Sequence, residues 1–199
     1  VEVMDVDEEA YRKGTLSAKL YGYMLTPYEP DLIQGAKIAS PITETEREDQ
    51  LAIAKYIIEE LKPGVVYIIG PGTTMRPIVE PLGGKKTLLG VDLIYNRRLI
   101  AKDVNEKQIL KAIKGKKARI IVTPIGGQGF IFGRGNLQIS STVIRQVGKN
   151  NVMVVATRHK IRGVRSLRVD TGDAELDEAL RGYTIVKTGY REETAVRVE

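Results

Sequence analysis

The sequence contains no cysteine and no tryptophan, and it has a single histidine and two phenylalanines in 199 residues. Without cysteine there is no disulfide framework, no thiolate metal site and no cysteine nucleophile. One histidine rules out a multi-histidine metal centre and gives a Ser-His-Asp triad little support, so no metal ligand set is expected. Long apolar runs are missing as well. Val65–Ile69 and Ile120–Val122 are strand-sized, far short of the ~20 residues that cross a bilayer. No membrane partner is therefore expected. No basic-then-apolar leader opens the chain, which points to the cytoplasm rather than secretion. The chain starts on Val1 and its first residues already read as structured, so it is expected to be the C-terminal part of a longer protein.

What is present is ordinary globular material. The apolar fraction is 42% and the charged fraction 28%, which argues against disordered and fibrous classes. The net charge is +6, which favours an anionic small molecule such as a nucleotide or phosphometabolite. The densest basic run is Lys111–Arg119, KAIKGKKAR. No aromatic residue interleaves with it, so the stacking platform of a single-strand binder is missing and nucleic acid is not expected. It reads as a solvated helix end. Abundant Lys, Arg and Glu beside scarce Trp, Cys and His are compatible with a thermophilic source. A homo-oligomer is left open.

Two regions differ in texture. Residues 1–42 read as an arm or cover, with strands at Val1–Val6 and Leu16–Leu25, a short helix at Asp7–Lys13, and a loop from Pro27 to Pro41. Residues 43–199 read as an α/β domain that binds nucleotide or phosphate. Thr43 and Glu46 have capping-box spacing before a helix ending near Leu61. Strands follow at Val65–Ile69, Leu88–Ile94, Leu99–Ala101, Ala118–Val122 and Val152–Ala156. Helices are expected at Thr74–Leu82, at Val104–Lys114 capped by Asp103, from Ser140 or Ser141 to Val147, and at Ala174–Arg181 capped by Asp173. Tyr183–Thr188 and Thr194–Val198 close the chain as a hairpin. This alternation predicts a mostly parallel, Rossmann-like sheet with helices on both faces, an N-terminal β arm and a C-terminal β-hairpin.

Four constellations could carry chemistry. Gly70-Pro71-Gly72-Thr73-Thr74 follows one strand directly, where ligands of open α/β sheets bind. Its glycines let a phosphate approach the backbone, and Thr73 and Thr74 add hydroxyls; a plain turn capped by Thr73 explains it equally well. Thr123–Gln138, TPIGGQGFIFGRGNLQ, follows a second strand and holds five glycines in sixteen residues, among them Gly126, Gly127 and Gly129. Arg134 suits a phosphate, and Asn136 and Gln138 suit a ribose or base edge. The alternative is a loop that merely needs positive φ angles. Asp92, within an apolar strand, must be paired or face a polar crevice; Asp103, Asn105 and Glu106 follow it, as helix cap or as ribose or metal contacts. Arg168 and Asp170 alternate to one side and could pair, while His159, between Arg158 and Lys160, reads as a surface residue.

Taken in order, GPGTT, LLGVD, DVNE, TPIGGQGFIFGRGNLQIS and RVDTGDAELDEALRGY resemble the C-terminal half of archaeal and bacterial predicted ATP-NAD kinase proteins, relatives of the acetoin-catabolism protein X group. The resemblance covers nearly the whole chain. It implies phosphoryl transfer from ATP, with magnesium, or from polyphosphate, to the 2′-hydroxyl of NAD, giving NADP. It carries nucleotide-contact roles onto Asn105, Glu106, Thr123, Gly126 and Gly127. The Gly-Gly-Asp-Gly motif whose Asp is central in NAD kinases is absent; Gly126-Gly127-Gln128-Gly129 has a neutral amide in its place. Such kinases also have β-rich C-terminal domains. A local likeness of VVYIIGPGTT to the phosphate loop of ribose-5-phosphate isomerase keeps a second reading, a noncatalytic phosphosugar- or nucleotide-binding regulatory module.

Overall fold

The computed structural model describes residues 2–7, 9, 18–25, 44–125 and 127–199. The chain divides into two compact units, Val1–Pro41 and Ile42–Glu199. In the first, β1 (Glu2–Val6) and β2 (Ala18–Tyr23) pair antiparallel. The helix expected at Asp7–Lys13, the loop Pro27–Pro41 and the capping residue Thr43 lie outside the described residues or nearly so.

The second unit is built on a seven-stranded sheet. Its strands are β3 (Val65–Ile69), β4 (Asp92–Tyr95), β5 (Arg98–Ala101), β6 (Lys117–Val122), β8 (Val152–Val155), β10 (Gly182–Gly189) and β11 (Glu192–Val198). The order is β11-β10-β8-β6-β3-β4-β5. β3, β6, β8 and β10 run parallel at the centre, and β11, β4 and β5 are added antiparallel at the two edges. The C-terminal hairpin is the β10–β11 pair. The parallel strands lie in chain order, without the reversal that marks a doubly wound sheet.

Side-chain alternation divides the core. Val66 and Ile68 of β3, Ile120 and Val122 of β6 and Val154 of β8 pack on one face. There they meet α3 (Glu106–Ile113) through Ile109 and Ile113, α4 (Ser141–Val147) through Val143, Ile144 and Val147, and α6 (Ala174–Leu180) through Leu176. Val65, Tyr67, Ile69, Ile121 and Val155 face the other way. They pack on α1 (Glu44–Glu60) through Ile53, Ala54 and Ile57, and on α2 (Arg76–Val79) through Ile78 and Val79. Successive same-direction crossovers place their helices on one face, which leaves α1 and α2 to cover the other.

The helix ends correct several expectations. Asn105, not Asp103, caps α3: its side chain accepts from the Gln108 backbone N–H while the Gln108 side chain accepts from the Asn105 N–H, a capping box two residues later than expected. Asp103 instead has φ 48°. Ser140 caps α4 and Asp173 caps α6. Hydrogen bonding to Arg145 holds the Asp173 carboxyl down at about 2. The strand foreseen at Leu88–Ile94 begins only at Asp92, and the strand before it is replaced by a bend. α5 (Arg158–Arg162) and the two-stranded parallel pair of β7 (Phe130–Phe132) with β9 (Arg168–Val169) were not foreseen.

That small pair explains part of the second glycine segment. A Cβ on Gly133, at φ 87°, would lie 1.6 Å from the Asp170 carbonyl oxygen, and one on Gly129 would lie 2.5 Å from the Ser166 carbonyl. The backbones meet where only glycine fits. Gly133→Ala is therefore expected to destabilise the fold by ~2 kcal/mol or more in urea unfolding. Gly127→Ala, with no atom within 4 Å of its added carbon, is expected to fall within ~0.5 kcal/mol of the parent. Equal midpoints for the two variants would contradict this packing.

Candidate functional site

The four parallel strands end on one edge, and the segments leaving them form the candidate site. After β3, the Gly70 N–H donates to the Ile121 carbonyl at 2.9 Å and the Gly72 N–H to the Leu88 carbonyl at 3.0 Å. Gly72 sits at φ 118°, and a Cβ there would come 2.7 Å from the Thr123 methyl carbon. The first glycine loop thus lies directly on the residue that leaves β6. Ile125, two residues further, packs where a Cβ on Gly135 would stand, 3.0 Å away. The two glycine segments therefore share one edge. Thr73 begins a 3-10 turn, Thr73–Met75; Gly72, not Thr73, occupies the cap position.

Two polar atoms of this edge have no hydrogen-bond partner among the described residues. Thr123 is 1% exposed and its Oγ1 is unpartnered. Asn136 is fully buried; its Nδ2 donates to the Ile131 carbonyl at 2.8 Å while its Oδ1 has no donor. A buried polar group left without a partner costs ~1–3 kcal/mol. Gly127 is exposed, and Gly126 lies outside the described residues.

The segment after β8 adds cations that the sequence reading passed over. Thr157 caps α5, accepting from the Lys160 N–H. The Lys160 Nζ donates to the Thr74 Oγ1 at 3.4 Å, joining this segment to the first glycine loop. Burial pushes the Lys160 ammonium below the usual lysine range, and Glu46 partly opposes the shift. From α1, the Glu46 carboxylate accepts from the Thr157 hydroxyl at 3.5 Å, and buried Asp49 takes both Nε and Nη2 of Arg158, at 3.1 and 2.7 Å. His159 is exposed, as expected. The signal for Lys160 lay in its position: three residues after a threonine that ends an apolar strand, where a short helix turns it back onto the sheet edge.

The other candidates have partners already. Asp92 is fully buried. It accepts from the Thr87 backbone N–H, the Thr87 hydroxyl and the Asp103 N–H, and it pairs with the Lys86 ammonium at 3.2 Å. Burial lowers the Lys86 pKa, and Asp92 works against that. Asn105 is committed to its cap. Glu106 accepts from the Ser140 hydroxyl, tying the start of α3 to that of α4. The Arg134 guanidinium lies 4.4 Å over the Phe130 ring, donates to Gln128 Oε1 at 3.4 Å and stands 3.8 Å from Asp170. Asp170 therefore faces Arg134, not Arg168. Among the described residues no group of three or more Asp, Glu or His gathers that could hold a metal ion. The magnesium implied by the resemblance does not find a carboxylate cage in them.

A parallel-centred sheet with paired glycine loops on its carboxyl edge now has a counterpart. Residues 63–198 match the ATP-NAD kinase C-terminal domain, about two thirds of the 199-residue chain. The chain belongs to this family. No curated protein and no solved structure matches it. The NAD kinase match starts after α1, so Glu46 and Asp49 lie outside it while all the glycine loops lie inside. None of the described helices is long and apolar enough to cross a membrane.

The ion pair at Asp92 gives a test of its role in this NAD kinase domain. Asp92→Ala strands a buried ammonium and is expected to cost ~3–5 kcal/mol in urea unfolding, and adding Lys86→Met to it is expected to recover part of the loss. A folded Asp92→Ala variant with an unchanged midpoint would remove the pair from the framework.

Proposed function

We propose that this chain is the substrate-binding region of an ATP-NAD kinase, which transfers a phosphoryl group from ATP to the 2′-hydroxyl of NAD and yields NADP. In this reading NAD lies along the carboxyl edge of the parallel strands. Gly70, Gly72 and Thr74 receive its phosphates, and Thr123, Gly126, Gly127 and Asn136 receive the nucleoside. Lys160 supplies positive charge beside Thr74. The observation that carries the reading is the buried Thr123 side chain, whose methyl lies against the Gly72 backbone position and whose hydroxyl has no partner among the described residues. A hydroxyl in that state is stabilised by a ligand that completes its hydrogen bond.

The same reading assigns Asp92, Asn105 and Glu106 to the framework, because each already makes a structural contact: Asp92 with Thr87, Asp103 and Lys86, Asn105 with Gln108, and Glu106 with Ser140. Arg134, stacked and paired, stays at the rim. The chain's part is to bind and orient NAD; ATP brings the phosphoryl group. Gln128, in the segment resembling Gly-Gly-Asp-Gly, is a neutral amide and takes no proton from the attacking hydroxyl. NAD and ATP as reactants place the work in the cytoplasm.

Calorimetric titration with NAD tests the assignment. Thr123→Val and Lys160→Met are each expected to weaken NAD binding about tenfold or more, equivalent to ~1.4 kcal/mol. The chain by itself is expected to form no NADP in a coupled assay with ATP. Unchanged NAD affinity in both variants would overturn the site. Saturable binding of ribose 5-phosphate with none of NAD would favour the regulatory module instead.

A further inference from the structure

Beyond the glycine loops, the carboxyl edge continues to β10, and there an open cleft of about 550 Å³ lies between α5 and the β10–β11 turn. Arg158, Ile161 and Arg162 line it from one side, and Thr188, Arg191, Glu192, Glu193 and Thr194 from the other. Three guanidiniums and two carboxylates line it, and their partners decide which charges are left over. Arg158 is taken by Asp49. Glu193 is taken by Lys187 at 2.8 Å, which holds its carboxyl below the usual range. Glu192 stands 3.8 Å from Arg158, and its carboxylate also lies against Gly189, at 2.8 Å from where a Cβ would be.

Arg162 and Arg191 remain. Both are exposed, and neither has a carboxylate partner among the described residues. Arg191 is fixed instead by its backbone and by a ring: it has φ 58° in the turn, and its guanidinium stands 5.4 Å from the centre of the Tyr190 ring. Tyr190 is itself held, by Tyr56 edge-on and by its hydroxyl donating to Glu59 at 3.0 Å. One uncompensated guanidinium thus comes from a helix and the other from a braced turn, and both reach the same cleft. Thr188 and Thr194 bring hydroxyls to the same space. Two planar forks with flanking hydroxyls match the oxygens of one dianionic phosphate.

We propose that this cleft is a phosphate-group site, separate from the glycine loops, in which Arg162 and Arg191 grip a dianionic phosphate as the free ion or as a phosphomonoester. The inference does not rest on NAD binding at the glycine loops.

Arginine side-chain Nε–Hε signals of the ¹⁵N-labelled protein read the two residues individually, with assignments from Arg162→Lys and Arg191→Lys. On addition of inorganic phosphate at constant ionic strength, the Arg162 and Arg191 signals are expected to move along one saturable curve. Chloride at matched ionic strength is expected not to reproduce it. Arg162→Ala is expected to weaken the response of the Arg191 signal about tenfold or more while thermal unfolding stays unchanged. In a second arm with ribose 5-phosphate, a lower midpoint than for inorganic phosphate means the ester is the ligand, and an equal midpoint means the phosphate group suffices. Linear shifts matched by chloride, different midpoints for the two arginines, or an unaltered Arg191 response in Arg162→Ala would each overturn the site. Failure of the glycine-loop reading would show as lost NAD binding with these signals still responding.

Discussion

Parallel pairing of β3 with β6 is the constraint from which the rest follows. Five residues lie in register, from Val65 beside Lys117 to Ile69 beside Ile121. A parallel pair cannot be closed by a tight turn, so the chain leaves the sheet, adds β4 and β5 at its far side, and returns through α3. A strand inside such a sheet is covered on both faces, which is why β3 is apolar at every position. The pairing also stops both strands on one edge. Gly70 and Gly72 then let the first loop lie down on the end of β6, since any side chain at either position would press on Val122 or Thr123.

Charge along that edge is balanced from an unexpected direction. The cations arrive on the segment after β8, as Arg158 and Lys160. The carboxylates arrive on α1, as Asp49 and Glu46, more than a hundred residues earlier in the chain. Asp49 and Glu46 are buried, and the Arg158 guanidinium and the Thr157 hydroxyl supply the donors that a buried carboxylate needs. The match to the kinase family starts after α1, so part of the electrostatic balance of the family domain is supplied by a helix outside it. Arg162, at the end of the same short helix, and Arg191, in the turn after β10, have no carboxylate partner among the described residues.

The sequence exposed the fold better than it exposed the site. Val65–Ile69, the long helix before it, the Ser140 and Asp173 caps and the closing hairpin are written locally, in apolar period and capping residues, and they form where expected. β7 and β9 are not, because each is two or three residues long and exists only through the other. α5 has no apolar period over its five residues, so Lys160 could not be placed beside Thr74. The capping box shifted from Asp103 to Asn105 because Asp103 turns with a positive φ, and its N–H donates to Asp92, a tertiary contact that no local pattern reports. The glycine-rich segment was legible as unusual but not as divided: Gly129 and Gly133 are glycines because another backbone passes over them, whereas Gly127 has open space around it.

This division follows a general asymmetry between charged and neutral polar groups. A sequence reading is drawn to Asp92, Glu106 and Arg134, because charged side chains do chemistry. A buried charge, however, survives folding only when compensated, so the fold itself occupies Asp92 with Lys86; half-buried Glu106 accepts from the Ser140 hydroxyl, and half-exposed Arg134 lies against Phe130, Gln128 and Asp170. A neutral hydroxyl or amide can be left one bond short at a cost of ~1–3 kcal/mol, small enough for the domain to carry. Thr123 Oγ1 and Asn136 Oδ1 are in that condition on the segment that leaves β6. In the proposed reading it is these neutral groups that a ligand would complete, with Lys160 adding charge beside Thr74.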